Sequence, residues 1–374
     1  MPYHTLHLLF NKRLDKIEEL YIHISIRALA LSMISIFVPI YLLKLDYTLA
    51  SVFIFYALLN GVHALFIVPA AKIASRIGYK RVIFFSTPFL IVFYLLLYTL
   101  ELYHWPLFLL AIIFGISQSL FWMGYHTSLT KFTDKNFRGE EISFANVFRS
   151  FFGVIGPLIG GLVLVFIGFK FLFVLVSLLL FVSTIPLFLS KDIYEPINFS
   201  ARQIFTNQRI KNYFSFIGHG IETGLGTVIW PIYIFFTILN NFTMLGLVTS
   251  LSLLFSLIVT LVIGRLSDVR RRLVLRIGAF LNAVIWAVKT FVRTTFQVFI
   301  IDSFYGITRT AISISFDALT YDKANKSRVV EFIIFREIFI QFGRVMLFIG
   351  MVFTADLINS FIFGSGASFL YLLF

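Results

Sequence analysis

Within the apolar stretch 296–320, Asp302, Gly306, Arg309, Ser313 and Asp317 recur every three or four residues, so a helix gathers them on one face. Two carboxylates flanking a guanidinium suit the holding of a charged solute or the relay of a proton. The stretch 105–128 places Gln118, Trp122 and His126 at i, i+4 and i+8; an indole there can stack on a flat or cationic ligand, or simply pack. His219, Glu222 and Gly226 lie in 212–236, with Glu222 about 15 Å along a helix from its start. His23 and Arg27 lie in 21–44. Arg336, Glu337, Gln341 and Arg344 crowd into 329–353, with Asn146 and Arg149 at comparable depth in 142–168.

Ionisable groups inside apolar segments are costly and mark solute or proton pathways when those segments cross a membrane. Glu222 and Arg309, both near mid-depth, are expected to face each other across a central cavity, so that the carboxylate loads and releases a proton as the guanidinium parts from it and returns. A permanent structural ion pair is the alternative. Asp302, nearer the outer mouth, is the second proton candidate, while His126 and Asp317 lie toward the inner ends, within reach of the interface. Arg149, Arg336, Glu337 and Arg344 are expected to make ion pairs between two domains or, as a second reading, to bind an anionic solute. His23, His63 and His219 are too scattered for a metal site, cysteine is absent, and no Gly-x-x-x-x-Gly-Lys loop occurs. No metal, cofactor or catalytic constellation is therefore expected.

The elements that position these residues follow from composition. Of 374 residues, 59% are apolar and 13% charged, against about 25% charged in soluble domains. The mean hydropathy is +0.93, which excludes a soluble enzyme, a disordered chain and a coiled coil. Twelve stretches approach the roughly 20 residues needed to cross hydrocarbon: 21–44, 48–72, 81–100, 105–128, 142–168, 170–190, 212–236, 242–264, 273–293, 296–320, 329–353 and 357–374. They are spans 1 to 12 below, helical because they exceed the length of barrel strands. With the N-terminus inside, 22 of the 31 Lys and Arg fall in inner segments, and only Lys44, Lys170, Lys289 and Arg293 at the outer side. That asymmetry predicts both termini in the cytoplasm and removes nucleic acid as a partner despite the net charge of +13. The polar first 20 residues carry no cleavable signal pattern.

The two halves repeat. Pro39-Ile40-Tyr41 ends span 1 and Pro231-Ile232-Tyr233 ends span 7. Ala71 aligns with Gly264 at an offset of 193, Gly115 with Gly306 at 191, and Arg138 with Arg328 and Gly153 with Gly343 at 190. Six spans per copy make the copies parallel about an axis along the membrane normal. The expected organisation is an N-terminal bundle over 1–190, a linker over 191–211 and a C-terminal bundle over 212–374. Span 6 runs further than span 12, so the last helix is expected to continue beyond Phe374; a longer reading frame supports this and a stop codon there refutes it.

Gly264-Arg265-Leu266-Ser267-Asp268-Val269-Arg270-Arg271-Arg272 resembles the Gly-x-Leu-x-Asp-Arg-x-Gly-Arg-Lys signature of the major facilitator superfamily. Its first copy keeps Arg76, Gly78, Lys80 and Arg81, with Ala71 and Ser75 in place of Gly and Asp. In span 5, Gly153-Val154-Ile155-Gly156-Pro157-Leu158-Ile159-Gly160-Gly161 resembles the motif of that superfamily's antiporter branches, one residue short in its first spacing. The resemblance implies a gate-latching role for Gly78, Lys80, Arg81, Gly264, Asp268 and Arg272. It also implies a cavity lined by spans 1, 4, 7 and 10, and a gating or plain packing role for Gly153, Gly156, Pro157, Gly160 and Gly161.

Together these features predict an all-α membrane protein of twelve helices in two six-helix repeats, not an enzyme. It is expected to move a small solute by alternating access, tilted toward proton-coupled efflux. The site residues would be Arg27, Gln118, Trp122, His126, Glu222, Asp302, Arg309 and Asp317. Its partners are the bilayer, the solute and protons, and a monomer is favoured. An uptake symporter or uniporter, a lipid-handling protein and a non-transporting paralogue are the alternatives.

Overall fold

The computed structural model describes residues 14–132, 138–188, 204–205, 210–326 and 328–374, and the side chains throughout them except those of 14–19, 131–132, 138–146, 148–149 and 261. The expected linker falls almost wholly outside these residues, as does the Arg149 side chain. Among the described residues every regular element is helical, as lipid requires of a backbone that must satisfy its own hydrogen bonds.

Seven segments are long and apolar enough to cross a membrane: Leu20–Lys44, Leu49–Ile77, Tyr79–Tyr103, Leu107–Thr130, Phe169–Leu187, Ile210–Leu239 and Phe242–Thr260. These are spans 1 to 4, 6 and 7, and the start of span 8. Span 5 on Arg138–Phe166, the later part of Phe242–Lys289 as span 9, and spans 10 to 12 on Thr295–Asn325, Val329–Thr354 and Leu357–Phe369 are shorter or more charged. The basic junction expected between spans 8 and 9 is shorter than a loop: within Phe242–Lys289 two helices meet at a kink at Arg270, which leaves helical geometry (φ −140°, ψ 54°). Elsewhere tight junctions reverse the chain. Gly78 (φ 98°) joins spans 2 and 3, a conformation open to glycine. Asn241 caps span 8 by accepting from Met244 N at 3.0 Å, and Thr294 with Gln297 forms a capping box at span 10.

Contacts repeat between the halves. Tyr41 Oη donates to the Leu97 carbonyl and Tyr233 Oη to the Val292 carbonyl, each at 3.0 Å. Gly115 packs on the Leu59 carbonyl and Gly306 on the Ser252 carbonyl. Proline interrupts spans 1 and 7 at corresponding places. In span 7, Pro231 offers no N–H, and the helix widens to π geometry over Leu225–Ile229, between Glu222 and Trp230.

The glycine run of span 5 is a packing surface on two sides. Gly156 lies against Ser32 and Gly160 against the Met33 carbonyl of span 1, while Gly161 lies against the Phe242 carbonyl of span 8. Gly246 of span 8 meets the Pro157 carbonyl, and Leu158 N donates to Ser250 Oγ at 3.1 Å. Backbone therefore meets backbone across the seam between the halves. A second seam joins spans 2 and 11 through Phe53, Tyr56 and Phe348. A methyl group at Gly153 meets nothing within 4 Å. Gly161→Leu is expected to cost about 1–3 kcal/mol by overpacking and Gly153→Ala to be near neutral, measured as unfolding temperature of the purified protein.

Candidate functional site

The C-terminal half contains a buried polar core built by spans 7, 9 and 10. One oxygen of Glu222, Oε1, accepts from Tyr305 Oη at 2.9 Å, Asn282 Nδ2 at 3.2 Å and Trp286 Nε1 at 3.2 Å. Glu222 is thus turned into its own bundle. The expected ion pair with Arg309 is absent, because the guanidinium stands 5.8 Å over the Tyr305 ring instead. The helical period that placed Glu222 at mid-depth also aims it at span 9. Asn282 continues the network to Thr308 and Ser368.

Beside it Asp302 accepts from Trp230 Nε1 at 2.8 Å and pairs with Lys289 Nζ at 3.2 Å. Lys289, expected as an outer anchor, is fully buried. Its ammonium lies 3.8 Å from the Tyr305 ring centre, 4.2 Å from Trp230 and 4.4 Å from Trp286, three cation–π contacts around one desolvated charge. Sequence reasoning passed over Lys289, Trp230, Trp286, Tyr305 and Asn282 because each sits at a helix end or reads as packing. The usable signal was the duplication. At the repeat positions of Glu222, Asp302 and Tyr305 the N-terminal half has Ala30, Ala111 and Phe114, so neither carboxylate nor the phenol that joins them is repeated there.

A second network crosses between the halves toward the face carrying the basic junctions. His126 of span 4 meets Tyr321 Oη at 2.7 Å through Nδ1, and its Nε2 accepts from Arg336 Nη1 at 2.9 Å. These partners assign the proton to Nδ1. Arg336 also pairs with Asp317 at 2.9 Å and with Glu337. Glu337 lies 3.5 Å from His63 Nε2 of span 2 and 3.6 Å from His126 Nε2. The arginine–carboxylate pairs expected between domains thus lie within one half, and histidines make the crossing. Arg344 does not cross through hydrogen bonds, which go to Thr223 and Gln341 of its own half. Trp122 donates to Gln118 Oε1 at 2.8 Å and stacks on His126, centroids 5.0 Å apart, so one of its faces is already covered.

At the junction of spans 8 and 9, Asp268 pairs with Arg271 at 3.0 Å, and Arg271 reaches Asp322 of span 10. Arg271, rather than the exposed Arg272, ties this junction to its neighbour. Gly264 and Lys80 are buried and Arg81 is exposed. Arg27 of span 1 is buried, its guanidinium 4.0 Å over the Phe121 ring.

The family profile described as Major Facilitator Superfamily matches residues 20–216. The fold resembles the E. coli fucose:proton symporter FucP at TM-score 0.67 and 12% identity, covering 96% of this chain and 97% of that one. It also resembles the human organic anion transporter MFSD10 (TETRAN) at TM-score 0.68 and 10% identity, covering 97% and 100%. No curated protein matches the sequence.

Lys289→Met leaves Asp302 buried without its cation and is expected to cost about 3–5 kcal/mol. Lys289→Met with Asp302→Asn should cost less than the single change, a coupling read by a double-mutant cycle in thermal unfolding. Arg336→Gln should loosen the crossing network and speed maleimide labelling of Thr130→Cys, the only thiol in that otherwise cysteine-free chain.

Proposed function

The chain belongs to the Major Facilitator Superfamily, and from that membership we propose that it moves a small solute across a membrane by alternating access, coupled to a proton carried in the C-terminal half. The observation that carries the reading is the one-sided polar core: the fold is built without it in the N-terminal copy, so its cost in the C-terminal copy is met by function. Glu222, Asp302, Lys289 and Arg309 hold two negative and two positive charges around Tyr305. A proton on Glu222 removes one negative charge and changes the bonds that tie span 7 to spans 9 and 10. Release of that proton restores them.

Gln118, Trp122, His126 and Arg27 of spans 1 and 4 supply the solute-facing side, and Asp317, Arg336 and Glu337 close the basic face onto His126 and His63. A proton added to His126 Nε2 turns an acceptor facing Arg336 into a donor that suits Glu337, so closure and protonation are linked. Asp268 with Gly264 and Arg271, and the junction at Gly78, Lys80 and Arg81, latch the span ends during the exchange. The basic face is cytoplasmic, with both termini on that side of the cell membrane, and one chain suffices because both halves of the pathway lie in it. The glycine seam of span 5, similar to the antiporter motif, supports export in exchange for protons without chemical conversion of the solute.

Proteoliposomes with an imposed pH gradient test this. Wild type should show gradient-driven flux of at least one solute in a panel of sugars, organic anions and organic cations, and Glu222→Gln should lower that flux at least tenfold with folding intact. Flux against the proton flow marks antiport, and flux with it marks symport. Solute flux that ignores the gradient would sink proton coupling.

A further inference from the structure

We propose that Arg27 anchors an oxyanion site in the N-terminal half, and that the transported solute carries a carboxylate or a phosphate. The solute assignment rests on the transport reading above, whereas the binding site stands by itself. Arg27 is 2% exposed, and none of its three guanidinium nitrogens has a hydrogen-bond partner. Among the described side chains of spans 1 to 4, no carboxylate pairs with it. From Leu20 to Phe132 the carboxylates are Asp46, in the turn after span 1, and Glu101, which pairs with Lys170 at 3.2 Å at the end of span 3. The arginines of span 11 are served differently, Arg336 by two carboxylates and Arg344 by Thr223 and Gln341.

Phe121 covers one face of the guanidinium at 4.0 Å, which attracts the charge but leaves the N–H edge unused. One turn away, His23 Nδ1 donates to the Ser183 carbonyl at 2.6 Å, which leaves Nε2 as an acceptor, and this atom too is buried without a partner. The His23 ring lies 6.4 Å from the same Phe121 ring. Arg27 and His23 thus present a forked donor and a nearby acceptor on one helix face. An oxyanion takes the fork, and one bearing a hydroxyl also gives its hydrogen to His23. At the repeat position of Arg27, His219 is bonded to Tyr371 Oη at 2.8 Å, so the unpartnered donors belong to the N-terminal copy.

The test uses the purified full chain in phosphatidylcholine nanodiscs, titrated calorimetrically with millimolar inorganic phosphate, benzoate and tetraethylammonium, with thermal unfolding alongside. Phosphate or benzoate should bind and raise the unfolding temperature, and which of them does so tells the phosphate class from the carboxylate class. Tetraethylammonium should do neither. Arg27→Gln should weaken the anion at least tenfold, and Arg27→Lys, which keeps the charge and loses the fork, should weaken it less. Without anion, Arg27→Met should unfold no lower than wild type, because it removes an unpaired charge rather than a partner. Wild type that binds neither anion, an anion bound equally by Arg27→Gln, or an Arg27→Met protein destabilised without anion would each overturn the site. No pH gradient enters these measurements, so failure of proton coupling leaves them intact.

Discussion

A charge inside a low-dielectric slab must find its compensation inside the same slab, and the chemistry of this chain is arranged around that demand. Water cannot reach Lys289, so Asp302 and three aromatic faces take its place. Glu222 gathers three donors, from Tyr305, Asn282 and Trp286, on one oxygen. Each buried group draws its partners from neighbouring helices. The polar network therefore also fixes how spans 7, 9 and 10 are rotated about their axes, which apolar packing alone leaves loosely determined.

The buried carboxylates among the described side chains, Glu222, Asp302, Glu331 and Glu337, lie in the C-terminal half, while spans 1 to 4 bury Arg27, His23, His63 and His126. Among the described side chains the two copies of the fold thus carry different buried charges, Arg27 in the first and the Lys289–Asp302 pair with Glu222 in the second. The histidines at the crossing, His63 and His126, connect them, since each belongs to the first copy and faces Glu337 of the second.

Much of this architecture is legible in the sequence. The length of hydrocarbon sets the span length, and the duplication shows in Pro39-Ile40-Tyr41 and Pro231-Ile232-Tyr233, whose tyrosines make the same hydrogen bond in both copies. The run Arg270-Arg271-Arg272 reads as a loop because charge is the only one-dimensional cue, yet a single non-helical residue suffices there. Depth along a helix can be counted, whereas rotation about it cannot, so the three donors that Glu222 meets on spans 9 and 10 are not legible from spacing. Lys289 is hidden for a related reason. Hydropathy assigns a lysine near a span end to the interface, and only the convergence of Trp230, Trp286 and Tyr305 from three helices shows otherwise.

The two seams between the halves are related by the duplication but made of unlike material. Along spans 5 and 8, Gly161 and Gly246 bring main chain against main chain, so a rotation there rearranges few rotamers. Along spans 2 and 11, Phe53, Tyr56 and Phe348 meet ring to ring, and His63 and Glu337 approach within 3.5 Å across the same seam. One seam is thus set by how closely two backbones can lie, the other by how side chains interdigitate, and a substitution that adds bulk strains the first while one that removes bulk empties the second.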